Sequence, residues 1–177
     1  MVLGVLVVDV QPFYFSNAFR GKEQRANQFI AAWNRVLDEL SHEYRLIVEM
    51  PIRSPTLPSI GGVRARGVEL PRFHKTTSDA FLLPGHLCKG DSRSNVMLAD
   101  VLDEQRVDAL VIGGLYSDVC VLSTIVGAKD AQFPVYTAYD LVDAIPSSVR
   151  AQYASSANVS RNVDSLLRKI DPYRLPR

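Results

Sequence analysis

The sequence predicts an α/β domain: a mostly parallel central sheet with helices packed on both faces. Three observations predict it. Its strand-like runs are continuously apolar instead of alternating, as in strands buried on both faces. These runs alternate with segments whose apolar residues recur every three or four positions, the helical stripe. The length, 177 residues, suits one three-layer domain spanning 1–177.

The elements follow in order. Val2–Val10 is a valine-rich apolar run that reads as a central strand, stopped at Pro12. Ala26, Phe29, Ile30, Trp33, Val36, Leu37 and Leu40 form one helical stripe, which makes Trp33 a core residue. Arg45–Met50 reads as a second strand, closed by Pro51. Residues 51–72 hold four prolines and three glycines and read as a long loop, functional or mobile. A short extended piece, Arg72–Lys75, follows, and then an irregular stretch, Leu83–Arg93. A helix is expected near Asn95–Glu104, a strand at Ala109–Gly113, a helix at Asp118–Ala131 and a strand at Pro134–Tyr139. Helical material is expected from Ser147 to Ile170.

Composition excludes several classes. Apolar residues make up 47% and charged residues 22%, and the formal net charge is +1. That is an ordinary globular profile, without the basic excess that nucleic acid would demand. The N-terminal apolar run has no positive n-region and meets Asp9 too early for a signal peptide or a membrane span. The two cysteines, Cys88 and Cys120, cannot make a disulfide framework. The expectation is a cytoplasmic protein with both thiols reduced, bound to neither nucleic acid nor membrane. A nucleotide-binding or redox reading is weak: no G-x-G-x-x-G follows the first strand, and neither a P-loop nor a C-x-x-C is present.

The chemistry lies where the strands end. In open parallel sheets, ligands bind beyond the carboxyl ends of the strands, near the point where strand order reverses. Asp9 ends the first strand. Cys120 stands just past the strand that ends at Gly113, in the first turn of a helix. If these strands are neighbours, Asp9 and Cys120 face one crevice, and Lys75 can reach it. A helix N-terminus and a nearby lysine favour a thiolate. A carboxylate within reach can take the thiol proton and return it to a leaving group. Free backbone N–H groups in the preceding turn can serve as an oxyanion hole. Each residue also has a plainer role: a turn aspartate, a solvated lysine, a buried thiol.

Together, VLVVDVQPFY around Asp9, FHKTTSDAF around Lys75 and GGLYSDVCVLSTIVGAKD around Cys120 resemble the cysteine hydrolases of the isochorismatase-like superfamily, which have Rossmann-like topology. YTAYDLVDA at 136–144 resembles the strand and acidic turn that follow there. The resemblance implies an Asp9–Lys75–Cys120 triad. Cys120 would be the nucleophile, Asp9 the base and then the acid, and Lys75 the group that holds the carboxylate and stabilises the thiolate. It also implies a non-proline cis peptide at Leu115–Tyr116, with the N–H groups of Tyr116 and Cys120 as the oxyanion hole.

Departures from the pattern narrow the chemistry. Nicotinamidases of the superfamily carry a D-x-H metal segment after the second strand. This chain has EMPIRSP there, and His42, His74 and His86 are scattered. No metal and no cofactor are expected, and His74 reads as structural. Isochorismate-cleaving members typically lack the nucleophilic cysteine. The expectation is therefore a metal-independent hydrolase of a small amide or carbamoyl substrate. Gln11, Tyr14, Phe81 and Tyr116 are candidate substrate contacts, with Arg53 a weaker one for a carboxylate. A homo-oligomer, dimer or tetramer, is expected from the same resemblance. The alternative is a catalytically idle relative serving in binding or assembly, with Cys120 as packing.

Overall fold

A computed structural model describes residues 2–50, 64–65, 68–88 and 92–171. Its centre is an eight-stranded sheet in the order β10-β9-β8-β1-β2-β5-β6-β7. The strands are β1 (Val2–Val8), β2 (Tyr44–Glu49), β5 (Arg72–His74), β6 (Gly85–Cys88), β7 (Arg93–Val96), β8 (Val107–Gly114), β9 (Val135–Ala138) and β10 (Asn158–Ser160). Only β6 opposes the others. A separate hairpin joins β3 (Arg64–Ala65) to β4 (Val68–Glu69). Most of the loop expected at 51–72, Arg53 included, lies outside the described residues.

Period-two alternation along β1 divides the core. Leu3, Val5 and Val7 face α1 (Pro12–Ala18), α2 (Glu23–Glu39) and α6 (Val163–Ile170). Leu6 and Val8 face α3 (Leu98–Glu104), α4 (Leu122–Asp130) and α5 (Arg150–Ser156). Both sets are buried, which is why the strand reads as an unbroken apolar run. Trp33 is a core residue as expected, fully buried with its Nε1–H donating to the Leu141 carbonyl at 3.2 Å. From β1 the chain winds outward to β2, and from β8 it winds the other way to β9. The reversal therefore falls between the neighbours β1 and β8.

The structure departs from the sequence reading in three places. Pro12 does not merely stop β1; it opens α1, because its fixed φ and missing N–H suit the first helical position. The stretch expected to be irregular at 83–93 contains β6 and the start of β7, a hairpin-like edge too short and polar to show a period. The helical material expected at 147–170 is two helices separated by β10. Asn162 caps the second, its Oδ1 accepting from the Ser165 N–H at 2.9 Å.

Gly114, where β8 ends, has φ 144, and a Cβ there would fall inside the van der Waals shell of the Val8 carbonyl oxygen. That oxygen belongs to β1 and cannot step aside. Gly114→Ala is expected to abolish soluble folding or to lower the melting temperature by more than 10 °C, on the order of a backbone clash plus strain. Circular dichroism melting checks this, and an unchanged melting temperature refutes it.

Candidate active site

The ladders deliver three side chains to one end of the sheet. The Leu115 N–H donates to the Val8 carbonyl at 3.0 Å, joining the end of β8 to the end of β1. The Asp9 N–H donates to the Val48 carbonyl at 2.8 Å, and the Lys75 N–H to the Glu49 carbonyl at 3.0 Å. Asp9 follows β1, Lys75 follows β5, and β2 lies between them. Asp9 itself is left-handed, with φ 51, a conformation aspartate tolerates better than most residues.

Lys75 Nζ lies 2.8 Å from Asp9 Oδ2, and both side chains are almost fully buried, at 1% and 0% exposure. Asp9 Oδ1 accepts the Met50 N–H at 3.0 Å, and Lys75 Nζ also donates to the Ser78 carbonyl at 3.2 Å. The Cys120 thiol lies near enough to Asp9 and Lys75 for both to act on its ionisation. An acid, an amine and a sulfur far apart in the sequence thus meet at the point where strand order reverses.

The electrostatics differ from the sequence expectation of a thiol tuned toward thiolate. Burial, and then the Asp9 charge, push the Cys120 thiol up to about 12; Lys75 opposes them and loses. In the resting site the sulfur keeps its proton.

Cys120 does not sit in an ordinary first helical turn. Ser117–Val121 is a π-helical turn running into α4, with the Val121 N–H donating to the Tyr116 carbonyl at 3.2 Å. The cis peptide expected at Leu115–Tyr116 is absent: among the described residues every peptide is trans. The chain turns instead through Gly114, at φ 144, and a left-handed Tyr116, at φ 57. The Tyr116 ring meets Tyr14 edge-on, with centroids 5.1 Å apart. Burial, and then the Asp9 charge, raise the Tyr14 hydroxyl above its ordinary value.

The remaining candidates divide. Gln11 is buried and its Nε2 donates to the Met50 carbonyl at 3.0 Å, tying the ends of β1 and β2 together. Phe81 is buried, with its ring 6.1 Å from that of Phe133, and serves as packing. His74 joins a polar cluster on β5 and β6. Its Nε2 lies 3.5 Å from Glu49 Oε1, which also accepts from Arg72 Nη1 at 3.0 Å, and its Nδ1 lies 3.6 Å from Cys88 Sγ. Cys88 therefore belongs to β6 and this polar cluster, and not to a loop. Among the described residues, no three His, Cys, Asp or Glu side chains gather to hold a metal. Sequence reasoning missed Ser117 and Asp143: the Ser117 N–H donates to Asp143 Oδ1 at 3.0 Å and its hydroxyl donates to the Ala144 carbonyl. The acidic turn in YTAYDLVDA was the available signal.

Residues 4–163 match the isochorismatase domain. The chain belongs to the isochorismatase family. Solved structures of similar fold extend over nearly all of it. An isochorismatase-like hydrolase from Alkaliphilus metalliredigens is 16% identical with a TM-score of 0.66, covering 98% of this chain and 100% of that one. N-carbamoylsarcosine amidase from Thermoplasma acidophilum is 19% identical with a TM-score of 0.63, covering 91% and 96%. The nicotinamidase from Staphylococcus aureus is 16% identical with a TM-score of 0.59, covering 90% and 100%. None of the curated proteins matches the chain. The isochorismatase fold accounts for the placement of the site: Asp9 and Cys120 follow β1 and β8, the two neighbours between which the winding reverses.

Proposed function

We propose that this isochorismatase-family protein is a metal-independent cysteine hydrolase that cleaves a C–N bond in a small amide or carbamoyl compound. The observation that carries the proposal is the buried Asp9–Lys75 ion pair with the Cys120 thiol beside it, under the influence of both partners. A buried ion pair is weak evidence for stability, but one that also holds a nucleophile has a chemical use. Two of the structurally similar proteins are named as an amidase and a nicotinamidase, which agrees with C–N cleavage.

The steps follow from the protonation state. Asp9 accepts the thiol proton as Cys120 Sγ attacks the substrate carbonyl carbon, and Lys75 holds the charge that develops between them. The N–H groups of Tyr116 and Cys120 are the proposed donors to the oxyanion. When the tetrahedral adduct collapses, the proton passes from Asp9 to the departing nitrogen and a thioester remains. Water then attacks the thioester, giving one proton to Asp9. The C–S bond breaks, the sulfur takes that proton back, and the acid is released. Tyr14 and Tyr116 form an aromatic wall beside the reacting carbon, suited to a small substrate.

Ammonia release from a panel of small amides, ureides and carbamoyl acids tests the proposal. At least one substrate is expected to turn over, and Cys120→Ala is expected to abolish that turnover while shifting the melting temperature by only a few degrees. Turnover that survives in Cys120→Ala removes the nucleophile. A wild-type protein inert to the whole panel favours the idle, binding reading.

A further inference from the structure

Every polar group of the Ser117 backbone and side chain is engaged from outside its own turn. Its N–H and hydroxyl go to Asp143 and Ala144, as described. Its carbonyl accepts the Tyr153 hydroxyl at 2.6 Å, in a buried hydrogen bond. Tyr153 lies on α5, is 1% exposed and packs in the core beneath α4. Burial, and then the charges of Asp143 and Asp118, raise its hydroxyl far above the ordinary range, so it stays a donor at every working pH.

The bond has a consequence for register. In a π turn the Val121 N–H reaches back five residues to Tyr116, as observed. In an α turn the same N–H would reach back four, to the Ser117 carbonyl. The Tyr153 hydroxyl already takes one of that carbonyl's lone pairs at 2.6 Å and competes with the Val121 N–H for it. π turns are uncommon, and they persist where surrounding structure holds them. Without the Tyr153 hydroxyl, the buried Ser117 carbonyl can be satisfied by Val121, and the turn tightens by one register. Cys120 lies inside that turn, so the change rotates its Cβ about the helix axis, away from Asp9 and Lys75.

We infer that Tyr153 is a positioning residue for the nucleophile: its hydroxyl locks the Cys120 turn in the π register that aims the sulfur at Asp9 and Lys75. The inference rests on the cysteine-hydrolase reading above and extends it to a residue on a different helix that touches no substrate.

Tyr153→Phe keeps the ring and removes only the donor. The experiment alkylates Cys120 with iodoacetamide across pH and maps the product by mass spectrometry, with Cys88 in the same molecule as an internal control. Wild type is expected to show a Cys120 midpoint far above that of a free thiol. In Tyr153→Phe the midpoint should fall below the wild-type value, because the sulfur leaves both Asp9 and Lys75 and the raising effect of Asp9 is the larger of the two, while Cys88 labels at the wild-type rate. With a panel substrate, kcat should fall about 10-fold or more with KM little changed, as for a misaimed group. If the phenylalanine variant does not fold, Asp143→Ala, which releases the other end of Ser117, should give the same fall. An unchanged Cys120 midpoint in the folded variant overturns the inference, as does a change matched by Cys88, which would report general loosening. Panel turnover that survives in Cys120→Ala overturns the hydrolase reading instead, and the inference with it.

Discussion

Lys75→Met is expected to lower folding stability by about 3–5 kcal/mol at neutral pH, the largest stability effect of any single substitution at the site. Methionine keeps most of the length of the lysine stem, so the loss reports the charge and not a cavity. Lys75 and Asp9 are buried together 2.8 Å apart, and neither can turn to water when the other is removed. Taking the ammonium away leaves the Asp9 carboxylate with the Met50 N–H on Oδ1 and no cation against Oδ2. The double variant Lys75→Met/Asp9→Asn removes the stranded charge and should recover much of the loss. Urea unfolding of the two singles and the double closes the cycle. A Lys75→Met loss below about 1 kcal/mol would mean that water reaches the pair in solution, against the burial on which the chemistry depends.

The frame of the molecule was legible because its central strands carry an unambiguous pattern. The Val2–Val10 and Ala109–Gly113 runs can only be buried on both faces, and such strands belong in the middle of a parallel sheet. Once they are neighbours, their next residues must share a crevice, which is why Asp9 and Cys120 could be paired at a distance. The stripe through Phe29, Trp33 and Leu37 fixed α2 for the same reason. What stayed hidden was what tertiary contacts decide. β6 and β10 are four and three residues long, too short to show a period of two. The π register at Ser117–Val121 depends on Tyr153 and Asp143, neither adjacent in sequence. The thiol stayed opaque for a related reason: a helix N-terminus and a lysine can be read from the chain, but burial, which dominates at Cys120, cannot. The implied cis peptide failed because Gly114 and Tyr116 achieve the reversal through positive φ.

Asp9→Asn is expected to reduce turnover of any panel substrate by about 10⁴-fold or more, the scale seen when one member of a catalytic triad is lost, and at the same time to make the thiol more acidic. The two effects point in opposite directions for a nucleophile, and that opposition gives the test its power. Asp9 charge raises the Cys120 thiol and Lys75 lowers it. Asparagine removes the first influence and leaves the ammonium without its carboxylate, so the thiolate becomes the natural partner of Lys75. The ultraviolet titration of the Cys120 thiolate should then shift from about 12 in wild type to a clearly lower midpoint. Stability should follow by linkage. The native state of wild type holds this proton more tightly than the unfolded chain, whose thiol titrates at the ordinary 9.0. The contribution is therefore present in full below about pH 9 and is lost as pH rises toward 12. In Asp9→Asn the gap between the two states narrows, and the alkaline loss should shrink with it. A variant with a more acidic thiol and no turnover shows that Asp9 works by moving a proton, since sulfur ionisation without a proton carrier for the leaving nitrogen does not suffice. A midpoint that stays at the wild-type value, or rises, would mean that Asp9 does not face the sulfur in solution, and the assignment of base and acid to Asp9 would fall.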